Sequence, residues 1–165
     1  MNTNTQYRIR SINPSDRPWI LDLIEKRWGT NQVVTRGKIH EIKQLPGFIA
    51  LNSSDRIGLL TYSICNGDIE IVTLDSLVKN IGVGTALISQ VRSLAEHAAC
   101  HRLWLVTTND NTPALRFYQK RGFHLVAVHQ NALDYSRTIR PEIPLIGLDG
   151  IPIRDEIELE MILNS

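Results

Sequence analysis

The residues between Ile69 and Thr85 have the types and spacing that bind a phosphate group. The segment IEIVTLDSLVKNIGVGT passes from a β-branched run into a short loop and then into the start of a helix. The first N–H groups of a helix lack backbone acceptors, and the helix dipole adds about half a positive charge there. Gly82 and Gly84 allow a bulky phosphate to approach the backbone. We therefore predict an anion-binding loop at residues 79–85.

Two better-known glycine loops do not fit this spacing. A Walker loop requires lysine and then serine or threonine directly after its last glycine, whereas Gly84 is followed by Thr85 and Ala86. A dinucleotide-binding fingerprint requires a third small residue three places past Gly84, where the chain has Leu87. It also requires an acidic residue at a strand end about twenty residues further on, and none stands there. Both nucleotide-binding interpretations are excluded.

A second informative segment, LWLVTTNDNTPALRFYQKRGF, begins at Leu103. Its apolar start is typical of a buried strand. Thr112 then fits an N-cap, and Pro113 suits the first helical position because its missing N–H is not needed there. Gly122 fits a helix stop. The segment therefore predicts a strand followed by a short helix over residues 113–121.

Both segments resemble motifs of one enzyme family. The loop Lys79-Asn-Ile-Gly82-Val-Gly84 is similar to the acyl-CoA pyrophosphate loop, Arg/Gln-x-x-Gly-x-Gly/Ala, of the GNAT superfamily of N-acetyltransferases. Lys79 departs from the usual Arg or Gln but keeps a positive charge, and backbone amides are expected to supply most pyrophosphate contacts. The downstream segment resembles the second GNAT motif, Asn-x-x-Ala-x-x-Phe-Tyr-x-x-x-Gly-Phe, through Asn111, Ala114, Phe117, Tyr118, Gly122 and Phe123.

Each motif residue also has a purely structural interpretation. The glycine pair is compatible with a strand-to-helix turn that binds nothing. Phe117 and Phe123 are suited to the core, and Gly122 to ending a helix. Asn111 is suited to capping and Tyr118 to packing. The two motifs in the right order favour the functional interpretation over these alternatives.

The remaining patterns predict the elements that position the motifs. Strands are expected at Tyr7 to Ile12, Phe48 to Leu51, Ile57 to Ile64, Ile69 to Leu74, Leu103 to Thr108, His124 to His129 and Glu156 to Leu163. Helices are expected at Pro14 to Trp28, Lys38 to Gln44, Val83 to Ala99 and Pro113 to Arg121. This order resembles the GNAT fold. We therefore expect an α+β fold with a central, mostly antiparallel sheet of about seven strands. The sheet should be splayed between the strands at 69–74 and 103–108 and flanked by about four helices.

Length and composition indicate a single domain over residues 1–165. With 42% apolar residues the chain can fill one core, and 18 basic against 17 acidic residues give no global field for nucleic acid or an anionic membrane. The N-terminus has no apolar signal segment, and no window is apolar for long enough to span a bilayer. Cys65 and Cys100 favour free thiols in a reducing compartment over a disulfide framework. We expect a cytoplasmic protein that is a monomer or a homodimer.

The resemblance implies a reaction and a co-substrate. It implies transfer of an acetyl group from acetyl-CoA to a primary amine by direct attack in a ternary complex, without a metal. The alternative is a non-catalytic acyl-CoA-binding or interaction module on the same fold. The sequence leaves open whether the donor carries acetyl or a longer acyl group. It also leaves open whether the acceptor is a small amine, an antibiotic, an amino acid or a peptide N-terminus.

The resemblance also assigns co-substrate contacts to individual residues. The pantetheine arm would pair with the backbone from Leu74 to Ser76, and Asn111 would position that arm. The pyrophosphate would lie on the loop formed by Lys79, Asn80, Ile81, Gly82, Val83, Gly84 and Thr85.

Two side chains are the leading catalytic candidates. Tyr118 would protonate the departing thiolate. Glu70 would act as general base, because on a strand of period two it shares a face with Val72 and Leu74. An inward carboxylate on such a strand costs free energy unless it is used or paired, although a half-exposed glutamate is the structural alternative. Asp75, His129, Asp134 and an ordered water are further candidates for the base.

The acceptor pocket is predicted from the irregular stretch between residues 130 and 154. Its length is typical of a functional lid. Tyr135, Arg137 and Arg140 would line the pocket, and the two arginines would receive an anionic group of the acceptor. Arg36 and Lys38 would lie in the opposite wall.

His97 and His101 have a spacing that is compatible with a metal site on a helix. The residues between them, Ala-Ala-Cys, lack the glutamate of a zinc protease motif. No third ligand is evident, so the sequence assigns no metal.

Overall fold

The computed structural model describes residues 6–163. Its strands are β1 (Arg8–Ser11), β2 (Gln32–Thr35), β3 (Lys38–Glu41), β4 (Gly47–Asn52), β5 (Asp55–Cys65), β6 (Asp68–Ser76), β7 (Arg102–Thr108), β8 (His124–His129) and β9 (Glu156–Ile162). Its α-helices are α1 (Arg17–Trp28), α2 (Val83–His97), α3 (Thr112–Gln119) and α4 (Ala132–Ile139). Short 3₁₀ turns lie at Pro14–Asp16, Ile42–Gln44 and Leu148–Gly150. None of the helices described between residues 6 and 163 is long and apolar enough to cross a membrane.

Seven strands form the central sheet, in the order β1-β4-β5-β6-β7-β9-β8. All neighbouring strands are antiparallel except β6 and β7, which are parallel and connected through α2. These two strands pair only from Asp68 and Arg102 to Ile71 and Leu105 and then diverge. The predicted fold class is confirmed, including the splay between the strands at 69–74 and 103–108.

Two apolar clusters cover the two faces of the sheet. Val83, Leu87 and Val91 recur at helical spacing on α2, which packs them on the first face, and α3 adds Phe117 and Tyr118 to the same cluster. On the second face, α1 and the turn at Ile42–Gln44 pack against β4, β5 and β6. The second cluster consists of Ile20, Ile24, Val33, Ile42, Ile49, Leu51, Leu59 and Val72. The helices therefore hold the sheet from both sides.

A β-hairpin occupies most of the segment predicted as the second helix. The prediction of a helix from Lys38 to Gln44 is wrong, because β2 and β3 pair as an antiparallel hairpin and only Ile42–Gln44 is helical, as a single 3₁₀ turn. Arg36 and Gly37 between them have φ values of 49° and 74°, which is the left-handed pair that joins two strands tightly. Burial of alternate hairpin residues against the second face overrides the helical pattern.

The stretch between residues 130 and 154 is more regular than predicted. It contains α4 and a short 3₁₀ turn, so its description as wholly irregular is wrong. Leu133 and Ser136, spaced three residues apart, are buried on one side of α4, which docks this helix on the sheet. At α3 the N-cap is Asn111 rather than the predicted Thr112, since the Asn111 side chain accepts the Ala114 N–H.

A β-bulge in β6 changes the side from which its residues project. Thr61 pairs with Thr73 and Tyr62 pairs with Ile71, which leaves Val72 as one extra residue on β6. Glu70 and Val72 therefore project toward the second face, whereas Leu74 packs with the first cluster. The expectation that Glu70 shares a face with Leu74 is wrong, because strict alternation does not survive the extra residue.

A buried aspartate fastens the N-terminal strand to the sheet. Asp16 has no exposed surface and accepts hydrogen bonds from Arg10, Arg56 and the Asn13 N–H at 2.6–3.0 Å. The hydrogen bond from Arg10 is the largest effect that holds the pKa of Asp16 well below its usual range. The carboxylate thereby links β1, the first 3₁₀ turn and β5.

Asp16→Asn should destabilise the fold by about 1.5–3 kcal/mol, the range for hydrogen bonds to a charged group. The loss should not exceed this range, because Arg10 and Arg56 are partly exposed and solvent screens their charges. Because the pKa of Asp16 is lowered in the folded state, its contribution is present above the ordinary aspartate pKa and is lost as pH falls. Urea unfolding between pH 3 and 7 measures both effects. Asp22→Asn is the matched control, since Asp22 is exposed on α1 and its carboxylate bonds Lys26 alone among residues 6–163. Equal effects of the two substitutions would contradict this role.

Candidate active site

The predicted anion-binding loop lines a cavity of about 290 Å³ at the start of α2. Asn80 and Gly82 have left-handed φ values of 63° and 81°, which turn the chain from the end of β6 into the helix. Within residues 6–163, the N–H groups of residues 79–85 have no backbone acceptor, because the first such bond of the helix is from the Ala86 N–H to the Gly82 carbonyl. The loop therefore presents a row of free donors to the cavity.

Most of the predicted co-substrate residues meet at this cavity. Its wall contains Ser76, Lys79, Asn80, Gly82, Val83, Gly84 and Thr85. Leu74 and Ile81 instead pack with the first apolar cluster, and Asn111 caps α3. The side chains of these three residues thus have structural contacts. Leu74 would contact a ligand through its backbone.

Positive side chains of α3 and the residues after it extend the cavity, and sequence reasoning missed them. A second cavity of about 700 Å³ adjoins the first through Phe117 and Arg121. Its wall carries Arg116 and Lys120 as well, and none of the three cations forms an ion pair within residues 6–163. Arg121 stacks 3.5 Å from the centre of the Phe117 ring and donates to Thr85 Oγ1 at 2.9 Å. The run Arg-x-x-x-Lys-Arg around the second motif was the available signal.

Tyr118 is enclosed between two aromatic rings. Its ring meets Phe117 and Phe123 edge to face, with centroid distances of 5.2 and 5.3 Å. Burial raises the pKa of the Tyr118 phenol, and the nearby Asp75 carboxylate raises it further. The phenol therefore keeps its proton at neutral pH and acts as a donor.

Glu70 is buried on the opposite face of the sheet, in contact with the hairpin. Its Oε1 accepts a hydrogen bond from Thr35 Oγ1 at 2.6 Å, and its Oε2 lies 3.2 Å from His40 Nε2. The same Thr35 hydroxyl lies 3.0 Å from His40 Nε2, so the three groups form one closed network. Sequence reasoning missed Thr35 and His40 because a helix over residues 38–44 would not bring them to Glu70.

A cavity of about 320 Å³ opens beside this network, between the hairpin and strands β5 to β7. Thr35, Arg36 and Lys38 contribute from the hairpin, and Glu70 and Trp104 are among the residues of the sheet that line it. Glu70 pairs with Trp104 one residue before β6 and β7 make their last contact. The carboxylate thus lies next to the point where the sheet opens.

The other predicted bases lie in different surroundings. Asp75 is buried on the Glu70 face, where Arg27 lies 3.5 Å away and the second carboxylate oxygen has no partner within residues 6–163. Burial raises the pKa of Asp75 in spite of Arg27. His129 Nε2 lies 3.0 Å from Glu158 Oε2, and Asp134 is exposed on α4.

The predicted acceptor residues on α4 bind the chain itself. Arg137 donates to the carbonyls of Ile143, Pro144 and Ile153 and thereby fastens the loop after α4. Arg140 donates to the Gln32 carbonyl and to Glu142. Tyr135 is 60% exposed, but its ring lies against Gly37 at the hairpin turn. The two guanidinium groups are thus engaged in structural contacts rather than turned to the cavity of the hairpin.

His97 and His101, whose spacing alone is compatible with a metal site, lie against different groups. His97 Nδ1 lies 2.7 Å from the Ser93 carbonyl, and His101 Nδ1 lies 3.7 Å from Asp68. In the described part of the chain, no three His, Cys, Asp or Glu side chains converge as a metal site would require.

Comparison with known proteins agrees with this geometry. The sequence profile of the acetyltransferase (GNAT) family matches residues 14–123, which include the loop at α2 and the second motif. The chain belongs to the GNAT acetyltransferase family. This GNAT protein is also 44% identical over 146 residues to the uncharacterized protein YdhI of Bacillus subtilis strain 168, a match that covers 88% of the chain and 91% of YdhI.

Solved structures of GNAT acetyltransferases share the fold. One is a GNAT acetyltransferase from Elizabethkingia anophelis with acetyl-CoA bound, with a TM-score of 0.70, 21% identity and coverage of 98% of this chain and 100% of that one. Another is a Bacillus subtilis acetyltransferase in complex with CoA, with a TM-score of 0.69, 18% identity and coverage of 96% and 100%. At these identities the likeness concerns the fold alone.

Gly84→Val should weaken binding of CoA by at least about tenfold, or 1.4 kcal/mol. A Cβ at Gly84 would lie 3.0 Å from the Phe117 ring, so the valine displaces a wall shared by both cavities. Isothermal titration calorimetry with CoA measures the change. Ser89→Val, on an exposed position of the same helix, is the control and should bind normally. Unaltered affinity in Gly84→Val would contradict the assignment of this cavity to the co-substrate.

Proposed function

We propose that the protein is an N-acetyltransferase that moves an acetyl group from acetyl-CoA to a primary amine by direct attack in a ternary complex. The observation that supports it most is the position of two groups on either side of one opening in the sheet. The anion-binding loop and Tyr118 belong to the α2 and α3 side, whereas the Glu70 network belongs to the hairpin side. A donor and an acceptor would meet where β6 and β7 separate.

The separation of these strands leaves backbone groups available to the donor. Beyond Ile71 the edge of β6 that faces β7 has no strand partner in the described part of the chain. Its N–H and C=O groups suit the amide groups of a pantetheine arm, which would pair along residues 74–76. One such N–H would stabilise the negative charge on the acetyl oxygen during attack. The pyrophosphate would then reach the free donors at residues 79–85.

The hairpin side supplies a base. An alkylamine has a pKa of about 10.4, so at neutral pH only a few molecules in ten thousand carry the free lone pair. Glu70 has acceptor capacity beyond its bonds to Thr35 and His40, because a carboxylate offers about four lone-pair positions. We assign Glu70 to removing the amine proton, with Thr35 and His40 holding its side chain in place.

The α3 side supplies the acid. The amine nitrogen forms its bond to the acetyl carbon while the carbon–sulfur bond breaks, and the electron pair leaves on sulfur. Tyr118 retains its proton because burial raises its pKa, and it would donate a hydrogen bond and then the proton to the thiolate. The nitrogen loses two protons in all. The first passes from the ammonium to Glu70 and on to solvent, and the second, released once the carbon–nitrogen bond has formed, replaces the proton that Tyr118 gives to the thiolate.

The wild-type protein should release CoA thiol from acetyl-CoA when a suitable primary amine is present. Thiol release over a panel of small amines and peptides measures turnover, and mass spectrometry identifies the acetylated nitrogen. Acetylation of a hydroxyl alone would contradict N-acetylation. A protein that binds acetyl-CoA but turns over no member of a broad panel would favour the non-catalytic module.

Glu70→Gln and Tyr118→Phe should each lower kcat by about 10²-fold, the usual contribution of a general acid or base. Both substitutions keep the size of the side chain, so CoA affinity should change little. The matched control for Glu70→Gln is Glu160→Gln, which lies on the same face of the sheet and pairs with Trp104. The matched control for Tyr118→Phe is Tyr62→Phe, at a tyrosine that stacks on Phe48. Steady-state kinetics and CoA titration separate the two effects. Unchanged kcat in either test variant removes the role of that residue.

A further inference from the structure

The cavity beside the hairpin has the size of a small-molecule site and an uneven distribution of charge. Its volume of about 320 Å³ lies at the lower end of the range for ligand pockets, about 300–1,000 Å³. Both Glu70 and Lys38 line it, Glu70 from the sheet and Lys38 from the first position of β3. Because the lining contains charges of both signs, the charge of a suitable ligand depends on which of these side chains lack an ion-pair partner.

Arg102, at one end of the floor, is already neutralised. Its guanidinium donates to Asp68, Glu158 and Glu160 at 2.8–3.0 Å. It also stacks 4.9 Å from the centre of the Trp104 ring. Three carboxylates for one cation leave no electrostatic demand for a ligand anion at this position.

The inner and outer parts of the cavity carry different charged groups. The ring of His40 is the one basic group in contact with Glu70 among residues 6–163. Lys38 is exposed and forms no ion pair within the same residues. Arg36, beside it, is 41% exposed and lies 3.4 Å from a single carboxylate oxygen of Glu156. The buried side of the cavity thus carries the Glu70 carboxylate, and its hairpin rim carries the ammonium of Lys38 without an ion-pair partner in the described part of the chain.

We infer that this cavity binds the acceptor, and that the acceptor is a small primary amine with a carboxylate or phosphate group at the far end of its chain. The inference rests on the proposed function, since it places the amine at Glu70. The distal anion would meet Lys38 and Arg36, and the indole of Trp104 would cover the methylene groups between. A diamine would be disfavoured because its second ammonium would be repelled by Lys38 and Arg36. An α-amino acid would be disfavoured because its carboxylate would be repelled by Glu70.

Five amines with short chains test this assignment: 1-propylamine, 1,3-diaminopropane, α-alanine, β-alanine and 3-aminopropylphosphonate. For the wild-type protein, kcat/KM should be at least about tenfold higher for β-alanine and 3-aminopropylphosphonate than for the other three, the effect of one favourable charge contact of about 1.4 kcal/mol. Lys38→Glu should reverse the order in favour of 1,3-diaminopropane, and Lys38→Gln should reduce the preference. Lys43→Glu, an exposed lysine outside the cavity, is the matched control and should keep the wild-type order.

A thermal-shift measurement of the same amines in the presence of CoA reports binding without transfer. The inference is overturned if the wild-type protein prefers 1-propylamine, the diamine or α-alanine, or if Lys38→Glu keeps the wild-type order. Turnover of amines without a preference for a distal anion would leave the proposed function standing and remove this inference alone. A Lys38-dependent shift with β-alanine but no turnover of any amine would retain the cavity and remove the proposed transfer. The inference is also overturned if β-alanine and 3-aminopropylphosphonate give neither turnover nor a thermal shift.

Discussion

The separation of two parallel strands is the constraint on which the rest of the site depends. β6 and β7 share four residue pairs and then part. Among residues 6–163, β6 continues to Ser76 paired with β5 alone, while β7 remains paired with β9. A sheet without this gap would satisfy its own backbone donors and acceptors. In the described part of the chain, the gap leaves the edge of β6 beyond Ile71 unpaired, with the cavity at the start of α2 on one face of the sheet and the cavity of the hairpin on the other.

The bulge at Val72 determines on which face of the sheet the side chains beside this gap lie. One extra residue on β6 places Glu70 and Asp75 on the hairpin face and Leu74 on the α2 face. Without it, period two would put Asp75 on the face opposite to Glu70. Both carboxylates consequently lie on the side from which an acceptor would approach, and the backbone between them borders the side of the donor. The bulge thus places the acidic groups on the face opposite to the predicted anion-binding loop.

The parts of the site that depend on local patterns were predictable from the sequence, and the parts that depend on distant contacts were not. Gly82, Gly84 and the second motif encode a loop and a capped helix within a few residues, and the fold class follows from the order of elements. The bond from Thr35 to Glu70 spans 35 positions in the chain. His40 has no local pattern that marks its inward direction. The local sequence of residues 38–44 also suggests a helix, and only contacts with distant parts of the chain favour the hairpin.

Asp75 shows what this arrangement costs in stability. Burial raises its pKa, so in the interval above the ordinary aspartate pKa the folded protein binds more protons than the unfolded chain. Stability therefore falls as pH rises through that interval, the reverse of the effect of Asp16, whose pKa is lowered. Asp16 has three partners and fastens strands, whereas one oxygen of Asp75 has none among residues 6–163. A buried carboxylate that destabilises the fold beside the opening of the sheet is consistent with a face adapted to a ligand rather than to packing.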